Sequence, residues 1–296
     1  MEGKQGALFV ESPYLNFFID LENTSTLSDK EAELFREMVW SYYQHHRRSF
    51  SWREEITPYR VVVSEIMLQQ TQTDRVKPKF EAFVAQFDSF ALLAQATQRE
   101  VLQMWQGLGY NRRGLALHKI AQRVMHEHEG ALPNEPAALV NFSGIGPNTA
   151  ASICAFAFNK PVTFIETNIR TVFLHVFFRD QDGIHDKALM PLIEQALDLH
   201  NPREWYYALM DYGVFLKKHF KNPSRRSRHH TKQSKFEGSD RQIRGAIIKL
   251  LIHHESLSFD ALQKNLGRNH LKIKSILEDL VQEGFIKLSS CNTYYM

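Results

Sequence analysis

Residues 141 to 156, NFSGIGPNTAASICAF, set two glycines one residue apart, followed at once by a proline and a run of small residues. The run from Pro147 predicts a helix, since a proline costs nothing in a first helical turn. A helical pattern also precedes it, in EPAALVNF. A dinucleotide-binding fingerprint would need a preceding strand, a third glycine and a later acidic residue; a helix before the glycines and Pro147 after them exclude it. Two helices joined by a tight Gly-apolar-Gly hairpin remain. Glycines there let the backbone approach a phosphate, and the amide hydrogens opening the second helix point at it. Gly144, Gly146 and Thr149 are the candidate phosphate-holding positions, with Asn148 at the helix entrance. The alternative is an ordinary helical hairpin, which seldom needs two glycines.

The rest of the chain repeats the helical theme. SDKEAELFREMVWSYYQHH places Leu34, Phe35, Met38, Val39 and Tyr42 on one face, with Ser28 as its cap. TPYRVVVSEIMLQQTQTD opens with Thr57 at the cap and Pro58 in the first turn, and is apolar nearly all round, so it is expected to be buried. KPKFEAFVAQF, SFALLAQA, REVLQMWQGLG and RRGLALHKIAQRVMHEHEG follow, each short and stopped by Gly or Pro. Many short helices with short connections predict a mainly α domain. Near the C-terminus, SDRQIRGAIIKLLIHH, SFDALQKNLG and NHLKIKSILEDLVQEG read as three helices, with FIKLSS and TYYM as two short strands around Cys291 and Asn292. That is a small winged-helix pattern. Its third helix carries His270, Lys272 and Lys274 beside a core face of Ile273, Ile276, Leu277 and Leu280. The organisation read from these patterns is an extension over 1–28, a helical domain over 29–216, a basic linker over 217–237 and the winged-helix module over 238–296.

Charge enters through its distribution. The net charge is only +3, but KKHFKNPSRRSRHHTKQSK, Lys217 to Lys235, holds eight Lys or Arg and no acidic residue. Phosphate is the expected partner of that stretch, with Arg225 and Arg226 as contacts. Two cysteines cannot build a disulfide framework, and neither they nor the fourteen histidines show a metal-ligand spacing. No apolar run reaches the roughly 20 residues a membrane-spanning helix needs. The N-terminus lacks the basic-then-apolar order of a signal peptide. These features predict no metal, no membrane and a cytoplasmic or nucleoid location.

Within VVVSEIML, Glu65 is a lone carboxylate whose neighbours, Ser64 apart, are apolar. Burial would raise its pKa and let it hold a proton near neutral pH, which suits a general acid.

TPYRVVVSEIMLQQTQTDRV, MWQGLGYNRRGLALHKIA, FSGIGPNTAASICAFAF and FIETNIRTV together resemble the helix-hairpin-helix DNA glycosylases, and the MutY-type adenine DNA glycosylases in particular, over about residues 30 to 215. The resemblance implies a two-lobed helical fold with double-stranded DNA in the cleft, a damaged or mispaired base flipped out of the stack, and hydrolysis of its glycosidic bond by a monomeric enzyme. Glu65 then protonates the leaving base, and Glu166 stands where the family's second carboxylate stabilises the sugar cation. Gln70 and Tyr110 fall where relatives place the wedge that fills the gap, Leu108 against the opposing base, and Trp52 and Arg53 at the pocket entrance. Bifunctional relatives carry a nucleophilic lysine where this chain has Asn148, so water is the expected nucleophile.

Three positions depart from the family. Relatives hold an iron–sulfur cluster on four cysteines after the helix matching YYALMDYGVFL; this chain has Lys217, Ser224 and Ser227 there, and no cluster is expected. A glutamine or glutamate precedes ALMDYG in adenine excisers, where this chain has Tyr207, which cannot reproduce a bidentate base contact. Glu166 replaces an aspartate, moving the carboxylate by one methylene. The winged-helix module also replaces the family's Nudix-like reader domain. Adenine opposite guanine or 8-oxoguanine is the first expected substrate; mismatched thymine or uracil, or a modified pyrimidine, is the alternative. A non-catalytic DNA-binding protein is the alternative of another class.

Overall fold

The computed structural model describes residues 13–21, 26–229 and 235–296. The predominantly helical chain falls into two compact units, Met1–Ser49 with Cys154–Thr231, and Phe50–Ile153 with Lys232–Met296. The division falls inside the helix Pro147–Phe158 that follows the glycine hairpin. Among the described residues, no helix is long and apolar enough to cross a membrane.

In the first unit the helix Asp29–His46 starts where Ser28 predicts it. Ser28 and Glu31 form a capping box, the Ser28 amide donating to Glu31 Oε2 at 2.7 Å. Its buried stripe is Ala32, Phe35, Val39, Tyr42 and Tyr43, narrower than the apolar pattern, because Leu34 is left 48% exposed. Helices Thr167–Phe177, Asp186–Ala196 and Pro202–His219 belong to the same unit. Phe35 lies edge-on to Phe173, Phe177 and Trp205, joining three helices through one ring. Arg48 pairs with fully buried Asp211 at 2.7 Å, and its amide donates to the other carboxylate oxygen. Gly213 allows two helices to touch at the backbone: a Cβ there would sit 2.4 Å from the Asn168 carbonyl oxygen.

The extension and the linker are more structured than the sequence patterns suggest. Residues 1–12, 22–25 and 230–234 lie outside the described residues. Within the remainder, the Ile19 amide donates to the Val176 carbonyl, and Tyr212 donates through its hydroxyl to the Tyr14 carbonyl. The basic stretch begins as the last turn of Pro202–His219 and continues into a short 3-10 helix, Pro223–Arg226, capped by Asn222. The next residues bridge to Ile184. So 217–229 is part of the first unit and not a free linker. Its backbone groups find partners, which a solvated tether would not require.

The second unit holds helices Ser51–Glu54, Pro58–Leu68, Thr73–Gln86, Phe90–Gln95, Gln98–Trp105, Arg112–Glu127 and Pro136–Leu139, then the start of Pro147–Phe158. Its C-terminal module comprises helices Asp240–His253, Phe259–Leu266 and His270–Gln282 with a small antiparallel sheet, order Leu257–Ser258, Thr293–Tyr295, Lys287–Leu288. The strand at Leu257–Ser258 is one more than the sequence pattern predicts. Ile273, Ile276, Leu277 and Leu280 form the expected buried face, joined by Ile243, Ile247 and Leu251. Leu102 and Leu115, from the helices Gln98–Trp105 and Arg112–Glu127, enter the same cluster. Each such side chain contributes about 1.5–3 kcal/mol on full burial, enough to seat the module firmly on those two helices.

Candidate active site

The helix Pro58–Leu68 begins at Thr57, whose Oγ1 accepts from the Arg60 amide at 3.2 Å. Val61, Val62, Val63, Ile66 and Met67 are buried, as an all-round apolar helix requires. Glu65 itself is only half-buried. The expected full sequestration is therefore corrected to a carboxylate at a buried edge. Glu65 Oε2 lies 2.5 Å from Ser152 Oγ, on the helix that follows the hairpin. Ser152 Oγ is also 3.0 Å from the Thr149 carbonyl oxygen. One hydroxyl proton cannot serve two acceptors fully. Ser152 Oγ thus shares its proton between the Glu65 carboxyl oxygen and the Thr149 carbonyl, and Glu65 is tied to the hairpin's second helix.

The hairpin joins this arrangement through Gln69, whose amide nitrogen donates to the Gly144 carbonyl at 3.2 Å and to Thr149 Oγ1 at 3.3 Å. Gly144 has φ +76°, and a Cβ there would meet Ala116 Cβ at 2.9 Å, so only glycine fits without movement. Gly146 differs: its missing side chain faces open space. Gly146 and Asn148 are exposed and Thr149 is half-buried, leaving the backbone at the helix entrance open to an anion.

A second loop adjoins the first. Gly107, Gly109 and Tyr110 all have positive φ, at +90°, +73° and +48°, which turns GLGY sharply between its flanking helices. Arg113 ties this loop to the end of Pro58–Leu68. It donates to the carbonyls of Ile66 (3.0 Å), Met67 (2.9 Å) and Gln69, to Thr71 Oγ1 at 2.9 Å, and to the Leu108 and Gly109 carbonyls. Burial pushes its pKa down to about 10, so it remains a cation at neutral pH. Gln70 is exposed in the left-handed region (φ +53°), and Tyr110 is half-buried. Leu108 is 2% exposed, so its side chain packs inward and is not presented to a ligand.

In the first unit, Glu166 caps the helix Thr167–Phe177. Its Oε1 accepts from the amides of Asn168 (2.7 Å) and Ile169 (3.1 Å), and its Oε2 from the Asn168 side chain at 3.3 Å. The carboxylate is thus held in one orientation by a helix N-terminus. Lys217 donates to Asn168 Oδ1 at 2.6 Å, and burial pulls its pKa down, with Glu166 opposing.

Several expected contacts are spent internally. Tyr207 is 4% exposed and stacked on Phe156 at 4.7 Å, so its ring is core. Trp52 (5%) stacks on Phe50, and Arg53 (4%) lies with its guanidinium over the same ring, so neither opens to solvent. Arg226 donates to the carbonyls of Leu174, Phe178 and Arg179, closing the C-terminus of Thr167–Phe177, and burial lowers its pKa. It is a helix cap and not a phosphate contact. Arg225 remains exposed. Ser224 and Ser227 are buried, Ser224 donating to Asn222 Oδ1 at 2.8 Å, while Cys154 and Cys291 lie elsewhere. These side chains do not fit a four-thiolate cluster. Ser152, Gln69 and Arg113 are the residues that pattern-reading missed.

Residues 63–197 match the model of the HhH-GPD superfamily of base excision DNA repair proteins. Its curated relatives include an adenine DNA glycosylase of Mycolicibacterium smegmatis, 33% identical over 160 residues, covering 54% of this chain and 52% of that protein. A thymine/uracil-DNA glycosylase of Methanothermobacter thermautotrophicus is 24% identical over 192 residues, covering 64% of this chain and 87% of that protein. The chain spans about half the length of the adenine-specific relatives it matches. The structure of a thermostable thymine-DNA glycosylase superposes with a TM-score of 0.56 at 23% identity, over 63% of this chain and 87% of that one.

Proposed function

We propose that this chain is a monofunctional DNA glycosylase that hydrolyses the N-glycosidic bond of a flipped base, with adenine opposite guanine or 8-oxoguanine as the substrate. The observation that carries the proposal is the Glu65 carboxyl held 2.5 Å from the Ser152 hydroxyl on the helix after the hairpin, set beside the open backbone of Gly146. A carboxyl that can hold a proton against a hydroxyl and release it outward is a general acid. Protonating a purine ring nitrogen makes the base a leaving group, and the sugar takes on positive charge. Glu166, its carboxylate oriented by two amides, suits stabilisation of that charge. Water completes the reaction, since Asn148 offers no nucleophilic amine.

Duplexes carrying each mismatch, 8-oxoguanine, uracil or hydroxymethyluracil, followed by alkali, test the reading: abasic sites are expected opposite guanine or 8-oxoguanine in the adenine-containing duplexes. Strand breaks from thymine or uracil mismatches alone would favour the second substrate class. That class draws support from the thymine/uracil relative matched over 87% of its length. No excision from any duplex would leave a DNA-binding protein. Borohydride added during turnover is expected to trap little or no covalent protein–DNA adduct. A strong adduct would show an amine nucleophile and end the monofunctional assignment.

A further inference from the structure

The C-terminal module has no part in the reaction proposed above, yet it grips both helices that flank the GLGY loop. Ahead of the loop, Gln98 donates to the Gly284 and Phe285 carbonyls at 3.1 and 2.9 Å, Arg99 donates to the Ile252 carbonyl at 3.1 Å, and Leu102 enters the module's core. Behind the loop, Arg112 forks onto Glu283, which Arg244 also holds, and Leu115 enters the same core. The Arg112 pairing, with help from Arg244, keeps the Glu283 carboxyl below the usual range, so it is ionised at neutral pH.

One side chain of the module reaches the loop itself. Arg241, in the first turn of Asp240–His253, donates through Nη1 to the Tyr110 hydroxyl at 2.7 Å. Its guanidinium carbon is 5.3 Å from the centre of the Tyr110 ring, and the Arg113 guanidinium is 5.3 Å from the same centre. Tyr110 is thus held by two planar cations, one from the helix that follows the loop and one from the added module. A residue with φ +48° on a glycine-flanked turn needs outside contacts to stay in one orientation.

We propose that the C-terminal module is a brace for the DNA-probing loop and that Arg241 is a positioning residue acting through Tyr110. The proposal rests on the glycosylase reading for Tyr110 as the side chain entering the duplex. Fixing that ring before DNA arrives removes the cost of ordering it during base extrusion. A module seated on the loop's two flanking helices can do this without touching DNA.

The test is a double-mutant cycle in the full chain: Tyr110→Phe, Arg241→Met, and both, binding a duplex with a tetrahydrofuran abasic analogue and an undamaged duplex, read by fluorescence anisotropy. Each single change is expected to lower the preference for the abasic duplex about fivefold. The double variant is expected within twofold of the weaker single one, with the salt slope of binding unchanged. Multiplying effects together with a slope shallower by about 0.9 would make Arg241 an independent phosphate contact and overturn the brace. Unchanged preference in Arg241→Met overturns it as well. If Arg241→Met unfolds, Tyr110→Phe, which removes one oxygen, carries the test: wild-type preference in that variant overturns the proposal. Binding needs no excision, so failure of the glycosylase reading appears in the alkali assay and failure of the brace appears here. A wild-type chain with no preference for the abasic duplex overturns both.

Discussion

Replacing Glu65 by Gln is expected to lower single-turnover excision by about 10³-fold or more while leaving affinity for the abasic-analogue duplex within about threefold. General-acid catalysis is worth ~10²–10⁴ in rate. The amide keeps the size of the side chain, and its oxygen can still accept from Ser152 Oγ, the atom 2.5 Å from Glu65 Oε2, so the helices stay in place. It has no proton to give to a departing base. Loss of binding in parallel with loss of excision would reassign Glu65 to structure. Full activity would remove it from the chemistry and with it the mechanism.

Gly213→Ala is expected to destabilise the protein by about 3 kcal/mol, read as a fall in the thermal or urea midpoint. Two effects of opposite sign compete. Alanine inside a helix is favoured over glycine by ~1 kcal/mol. Against this, the added methyl would lie 2.4 Å from the Asn168 carbonyl oxygen and 2.8 Å from Asn168 Cβ. The carbonyl is backbone inside Thr167–Phe177, so the two helices must separate, which outweighs the propensity gain. Asn168 also holds Glu166 and Lys217, so excision should fall along with stability. A midpoint at or above that of the wild type would show that these helices do not approach at Gly213.

What the sequence made legible follows periodicity and caps. Ser28, Thr57 and the proline of Pro147–Phe158 mark helix starts by local chemistry, and the structure places the helices there. Gly144 was legible for a similar reason, since a glycine pair between helices demands an unusual backbone. The fates of long polar and aromatic side chains were not. Arg226 looked like one cation among eight, but which carbonyls it closes depends on a helix some fifty residues earlier in the chain, reached only after folding. Tyr207 and Leu108 were placed by motif position. Their burial is decided by Phe156 and by the turn of GLGY, which a linear pattern does not contain. Ser152 sits in a run of small residues that reads as packing alone, and its contact with Glu65 joins positions 87 residues apart.

The seating of Leu102 and Leu115 in a core completed by Ile243, Ile247 and Leu251 sets an order on biosynthesis. At ~5–20 residues per second, roughly ten seconds separate the emergence of Leu115 from that of Leu251. Through that interval the nascent helices around the GLGY turn present uncovered oily side chains. A holdase chaperone that shields these helices until the module emerges would therefore raise the yield of active molecules.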